Sequence, residues 1–109
     1  MKIYLVTRHS GAIDWLHQQG IKVDAQFEHV TDINQFYAGD VVVGILPLAL
    51  ICRLNQRGVV YLHLSVAIPF EYRGKELTVD ILEQFGAKLE RFDVLQMPVD
   101  IAGYISGDY

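Results

Sequence analysis

Lys2-Ile3-Tyr4-Leu5-Val6-Thr7-Arg8-His9-Ser10-Gly11 begins as a short apolar strand and leads at once into a cation, an imidazole, a hydroxyl and a glycine. The apolar spacing that follows predicts a helix from about Gly11 to Gln19, with Asp14 in its first turn. Open α/β sheets bind ligands at the carboxyl ends of their strands. Because helix amides and the positive end of the helix dipole attract anions, Arg8 and this turn are a candidate site for a phosphate or another anion. An ordinary polar turn is the alternative.

The rest of the chain alternates predicted strands and helices, which is the pattern of an α/β domain. The run at 41–46 is apolar on both faces, which predicts a central strand of a mostly parallel sheet. The alternation in residues 21–30 predicts an edge strand. Thr31 and Asp32 cap a short helical turn, and Thr78 caps the last predicted helix. The predicted strands are 2–7, 21–30, 41–46 and 59–66, the helices are 11–19, 48–57 and 79–85, and the final strand or ribbon is 88–97.

Length and composition narrow the class of protein. The 109 residues predict a single small domain over 1–97, with residues 98–109 as a C-terminal tail. Hydrophobic residues make up 51% and charged residues 20% of the chain, which indicates a surface partly covered by a partner subunit. The net charge of -4 argues against general nucleic-acid binding. Since no run reaches the ~20 apolar residues of a membrane span and no secretory pattern opens the chain, we expect a cytoplasmic protein without membrane contact.

Several candidate residues converge at one edge of the predicted sheet. The turn after strand one, Leu46 and Pro47 after strand three, and residues 63–67 at the end of strand four all lie at carboxyl ends. Gly44 allows a ligand or another backbone to approach closely, or it accommodates helix packing. The loop 67–77 adds the basic pair Arg73 and Lys75. We expect the segment 69–78 to close over a bound ligand, and a solvated loop is the alternative.

The four histidines differ in how strongly the sequence supports a functional role for each. His9 lies in the polar turn, where an imidazole can act as general acid or base; a turn histidine bonded to the backbone is the alternative. His63 lies inside an apolar strand, which favours a structural role but keeps it near the candidate site. His17 and His29 look like ordinary surface positions. A single cysteine, Cys52, and the lack of any His-x-x-x-His, Glu-x-x-His or clustered-aspartate motif predict neither a disulfide nor a metal, and no cofactor is expected.

Four segments together resemble one small family. They are Tyr4-Leu5-Val6-Thr7-Arg8-His9-Ser10-Gly11-Ala12, Gly39-Asp40-Val41-Val42-Val43-Gly44-Ile45-Leu46-Pro47, Tyr61-Leu62-His63-Leu64-Ser65 and Arg73-Gly74-Lys75-Glu76-Leu77-Thr78. In this order and spacing they are similar to the ring-nuclease-like CRISPR-associated accessory proteins of the Csx group, which accompany type III systems. The resemblance covers residues 1 to about 92. The family often has proline where this chain has Ser10, which leaves the role of that hydroxyl open.

The resemblance implies a Rossmann-like domain that cleaves cyclic oligoadenylate messengers, and cyclic tetra-adenylate first among them. In such a ring nuclease the ribose 2′-hydroxyl attacks the neighbouring phosphorus without a metal. Arg8 and the helix amides would stabilise the phosphorane, and His9 would transfer a proton. The expected ligand-binding residues are Thr7, Ser10, Gly11, Gly44, Leu46, Pro47, His63, Ser65, Arg73 and Lys75.

Two other functions stay open on the sequence. A noncatalytic sensor or sponge for the same ring would use the same pocket. A different α/β enzyme acting on a nucleotide is the other possibility, although the chain has neither a Walker loop nor a GxGxxG turn. We expect a homodimer with the ring on its two-fold axis, because repeated phosphates present equivalent groups to two subunits.

Overall fold

Five strands form one mixed sheet, in the order β2-β1-β3-β4-β5. The computed structural model of the protein describes residues 1–107. The strands are β1 (Ile3–Val6), β2 (Ala25–Phe27), β3 (Val41–Gly44), β4 (Val60–Ser65) and β5 (Lys88–Arg91). The helices are α1 (Ser10–Gln18), α2 (Leu48–Gln56), α3 (Val79–Gln84) and α4 (Ile101–Ser106), with short 3₁₀ turns at Ile33–Gln35 and Phe70–Tyr72. The predicted fold class, a small α/β domain with a mostly parallel sheet flanked by helices, is confirmed.

The strand order places the topological switch point of the sheet between β1 and β3. β1 pairs in parallel with β2 on one side and with β3 on the other, and β4 continues the parallel order. β5 is antiparallel to β4. In doubly wound sheets the crevice that binds a ligand lies at the topological switch point, beyond the carboxyl ends of the strands.

Each face of the sheet has its own hydrophobic core. Val43 contributes to the core that packs under α1 and α3, together with Leu5, Trp15, Leu16, Leu64 and Leu82. The neighbouring Val42 points to the opposite core, which Phe36, Ile51, Leu54, Val59 and Tyr61 complete. Successive side chains of a strand alternate between faces, so a strand that is apolar throughout must be covered on both. The prediction of a central strand is therefore confirmed for residues 41–44, and the strand ends two residues earlier than predicted.

Turn chemistry ends the elements where the sequence predicts. Gly20, Gly58 and Gly86 follow α1, α2 and α3 with positive φ angles of 82°, 80° and 70°, a conformation that favours glycine. Thr78 Oγ1 accepts a hydrogen bond from the Ile81 amide, and Asp32 caps the first 3₁₀ turn.

The edge strand is shorter than predicted. β2 lies at the edge, as expected, but covers only residues 25–27. The Asp24 carboxylate accepts the Ile3 amide at 2.7 Å, so a side chain takes the place of a backbone partner before the strand begins.

The segment after β4 departs most from the sequence prediction. Of the predicted strand or ribbon at 88–97, only β5 is a strand, because the chain then crosses to α2, where the Val94 amide donates to Asn55 Oδ1 at 2.8 Å. The region predicted as a tail includes α4, capped by Asp100; its last two residues lie outside the described part of the chain. No helix among residues 1–107 combines the length and the apolar character that crossing a bilayer requires.

Candidate functional site

A cavity of about 580 Å³ opens at the carboxyl ends of β1 and β3. The turn after β1 and the end of β3 form its walls, and Leu50 and Leu64 line it with apolar surface. The predicted residues at this cavity are Thr7, Arg8, His9, Gly44, Leu46 and Pro47. The strand order therefore brings together six of the candidate residues, from segments more than thirty residues apart in the chain.

A second depression, of about 520 Å³, shares Arg8, His9 and Leu77 with the first. Its other walls include Tyr72, Arg73 and Lys75. Lys75 Nζ lies 5.3 Å from the centroid of the Tyr72 ring, within cation–π range. Arg8 and His9 thus form a ridge between two depressions, and we refer to this pair as the ridge. The two predicted loop cations face the second depression.

A carboxylate already occupies the amino end of α1. The helix begins at Ser10, so Asp14 lies beyond the first turn, and the expectation of an acid there from Asp14 is wrong. Glu76, in the loop before α3, supplies the carboxylate instead: its Oε1 accepts the Ser10 amide at 3.2 Å. A negative charge at this position stabilises an exposed helix by about 0.3–1 kcal/mol. A phosphate that used the Ser10 amide would have to displace Glu76.

Ser10 and Gly11 lie away from the main cavity. They line a shallow depression with Asp14, Glu76 and Asp80, where three carboxylates disfavour an anion. A Cβ on Gly11 would collide with the Leu77 carbonyl and lie 2.7 Å from Thr78 Cα. The glycine is needed here so that α1 can pack against the segment leading into α3.

His9 is held by the same loop. The Leu77 amide donates to His9 Nδ1 at 3.3 Å, and the His9 amide donates to Thr7 Oγ1 at 3.1 Å. Glu76 Oε2 is 3.7 Å from the same Nδ1, which is too long for a hydrogen bond. Because a nitrogen that accepts an amide hydrogen has no proton of its own, neutral His9 carries its proton on Nε2.

The backbone of β1 leaves room only for a glycine at position 44. A Cβ at this position would lie 2.8 Å from the Val6 carbonyl oxygen, whereas the nearest side-chain atom, on Leu46, is 3.6 Å away. Of the reasons predicted for this glycine, close approach of another backbone is the one that the structure confirms.

Tyr61 shapes the wall that β3 contributes and was not singled out from the sequence. Its buried hydroxyl accepts the Leu46 amide at 3.0 Å and donates to the Gly44 carbonyl at 2.9 Å. His63 Nδ1 is 2.7 Å from the same oxygen. Burial raises the pKa of Tyr61 above 10.0, and the bond from Leu46 opposes that rise. Since this phenol can donate only one hydrogen, donation to Gly44 makes His63 Nδ1 the donor to it.

His63 and Ser65 do not line the cavity. His63 is bonded to Tyr61, and its ring centroid is 5.5 Å from that of Phe92. Ser65 pairs with Lys88 of β5. His29 is exposed, as the sequence predicts, and it also lines the main cavity together with Glu28. Both residues follow β2 as Arg8 follows β1. Their position at the carboxyl end of a predicted strand is the sequence feature that could have placed them at the cavity.

Metal-ligating side chains are scattered in the described residues, 1–107. No group of three or more His, Cys, Asp and Glu side chains there could hold a metal ion. The chemistry available at the ridge is that of a guanidinium and an imidazole.

Comparison with known proteins identifies the family of this chain. No curated protein and no solved structure matches the chain. The family model described as "Putative CRISPR-associated protein (Cas_VVA1548)" matches residues 4–95, which include the ridge, both depressions and the elements from α1 to β5. Because the match spans most of the 109 residues, the chain belongs to this CRISPR-associated family.

Proposed function

We propose that the protein is a metal-independent ring nuclease that cleaves cyclic oligoadenylates, with cyclic tetra-adenylate as its substrate, and so switches off type III antiviral signalling. The observation that carries the proposal is the ridge, because Arg8 and His9 lie at the topological switch point of the sheet and line both depressions. Membership of a CRISPR-associated family supports the biological setting.

The proposed reaction needs few protein groups. The ribose 2′-oxygen attacks the adjacent phosphorus and the bond from phosphorus to the 5′-oxygen breaks. Solvent water accepts the proton of the 2′-hydroxyl and supplies one to the departing 5′-oxygen. The products are linear adenylates with a 2′,3′-cyclic phosphate and a 5′-hydroxyl. Arg8 would pair with the phosphate oxygens and stabilise the charge of the phosphorane. Holding the ribose in line with the bond that breaks supplies much of the acceleration.

The two depressions are suited to nucleosides on either side of the ridge. Their volumes, about 580 and 520 Å³, fall within the 300–1,000 Å³ typical of small-molecule pockets. Leu46, Leu50 and Leu64 offer apolar surface to a base in the first. Arg73 and Lys75 offer charge to a neighbouring phosphate at the second.

A homodimer with the ring on its two-fold axis belongs to the same proposal. A ring of equivalent phosphates presents the same group to two copies of the ridge. The segment after β5 also exposes large apolar side chains that a partner subunit would cover. These are Leu95, Met97, Val99, Ile101 and Ile105.

The test is to incubate the protein with cyclic tri-, tetra- and hexa-adenylate in the presence of a chelator and to analyse the products by chromatography and mass spectrometry. The proposal predicts linear products from the tetra-adenylate ring. Tight binding of an unchanged ring would support the alternative, a noncatalytic sensor or sponge. A protein that neither binds nor cleaves any ring would contradict both.

A further inference from the structure

The loop before α3 contacts the ring nitrogen Nδ1 of His9. We propose that the Leu77 amide fixes neutral His9 as an Nε2–H donor to a phosphate oxygen, and that Glu76 is the positioning residue that holds this loop on α1. The phosphate in this proposal rests on the proposed function, whereas the proton position on His9 is a property of the free protein.

Two groups lie near His9 Nδ1, the Leu77 amide and the Glu76 carboxylate. Leu77 N–H points at Nδ1 with a separation of 3.3 Å, so that nitrogen must offer a lone pair. The Glu76 carboxylate, 3.7 Å from the same atom, is a second acceptor and forms no hydrogen bond with an unprotonated Nδ1. Because His9 lines both depressions, Nε2, with its proton, is the ring nitrogen that is available to a ligand there. It can donate a hydrogen bond there but cannot take a proton.

Glu76 keeps the loop in place through its other oxygen. Oε1 accepts the Ser10 amide at 3.2 Å, which ties residue 76 to the first turn of α1 and leaves Leu77 beside His9. If the ring gained a proton, Nδ1 could no longer accept from Leu77 and would turn to the carboxylate. The other charged or titratable groups on the two depressions that His9 lines are Arg8, Glu28, His29, Tyr72, Arg73 and Lys75.

This arrangement changes the expected role of His9. The sequence predicts a proton-transfer group, but a neutral imidazole that keeps its Nε2 proton acts as a fixed donor to charge that develops on the phosphorane. Removing one such donor from an active site costs about 10²- to 10³-fold in rate. The donor role needs no change of protonation during the reaction.

The proton position is tested on the free protein. Nitrogen-15 NMR of the imidazole should show the neutral tautomer with its proton on Nε2. Acidification that protonates the ring should shift the Leu77 amide resonance in step, because that amide loses its acceptor. Glu76→Gln keeps an oxygen for Ser10 and should preserve this coupling, whereas Glu76→Ala should weaken it. A proton on Nδ1, or a Leu77 amide that ignores the ring, would overturn the proposal.

The role in the reaction is tested with two substitutions. His9→Gln retains an N–H donor near the position of Nε2, and we expect its cleavage rate to stay within about tenfold of the parent rate. His9→Ala should lose about 10²- to 10³-fold. Equal losses in the two variants, with unchanged thermal unfolding, would refute the donor role and favour proton transfer. A parent protein that cleaves no ring contradicts the proposed function instead, and the NMR experiment then decides the tautomer alone.

Discussion

Replacing Tyr61 with phenylalanine should loosen the wall that β3 contributes to the main cavity. The phenol oxygen holds the Leu46 amide and the Gly44 carbonyl, and both residues line that cavity. The substitution keeps the ring in the core but leaves these groups, and His63 Nδ1, without their common partner.

The expected cost follows from these contacts. A hydrogen bond between neutral groups contributes about 0.5–1.5 kcal/mol, and a buried group left unpaired costs about 1–3 kcal/mol. Leu46 and His63 are only half-buried and can recover part of the loss with water. We therefore expect Tyr61→Phe to lower the free energy of unfolding by about 2–3 kcal/mol, measured as a lower urea midpoint with an unchanged slope. Binding of a cyclic adenylate should weaken as well.

Tyr4→Phe is the matched control, because Tyr4 also packs in the sheet core but its hydroxyl makes no hydrogen bond among residues 1–107. It should change stability by less than about 0.5 kcal/mol. An effect of Tyr61→Phe as small as that of the control would refute the claim that the hydroxyl holds this turn.

Alkaline pH gives an independent check. Burial raises the pKa of Tyr61 in the folded protein above the 10.0 of an exposed tyrosine, so folding favours the neutral phenol. This contribution is complete below pH 10.0 and is lost as the pH rises through the folded value. The parent protein should lose more stability than Tyr61→Phe above that pH. Parallel stability curves would contradict this assignment.

Three further predictions concern the proposed function. Arg8→Ala should weaken ring binding and slow cleavage in titrations and rate assays, and Arg8→Lys should recover only part of either, because lysine cannot pair bidentately with a phosphate. The double replacement of Arg73 and Lys75 by alanine should weaken binding more at low than at high salt, because salt screens exposed charges. Light scattering at micromolar concentration should find a dimer.

Each of these predictions can fail separately. Full activity in Arg8→Ala would remove the guanidinium from the mechanism. Unaltered affinity of the loop variant at low salt would mean that its cations are only solvated. A monomer, with and without ligand, would exclude the two-fold arrangement.

The strand and helix order could be predicted because its signals are local. The run at 41–46 is apolar on both faces, and glycines follow the three main helices, so the central strand and the helix ends are found without tertiary information. The convergence of Arg8, Leu46 and Pro47 follows from the parallel order alone, because parallel strands bring their carboxyl ends to one edge.

The details of the site depend on contacts that no local pattern records. Glu76 and Leu77 meet Ser10 and His9 across sequence separations of 66 and 68 residues. They turn an expected anion site at α1 into an occupied one and determine which nitrogen of His9 is available. Tyr61 is similar, since its sequence neighbours predict an apolar strand but say nothing of a hydroxyl that bonds to the turn after another strand.

The proposed nucleophile is the ribose 2′-hydroxyl of a cyclic adenylate bound at the ridge. The direct measurement compares cyclic tetra-adenylate with its 2′-deoxy counterpart, both incubated with the protein in chelator and analysed by mass spectrometry. We expect linear products with a 2′,3′-cyclic phosphate from the ribose ring and an intact deoxyribose ring that still binds. Cleavage of the deoxyribose ring, or no cleavage of either, would contradict this expectation.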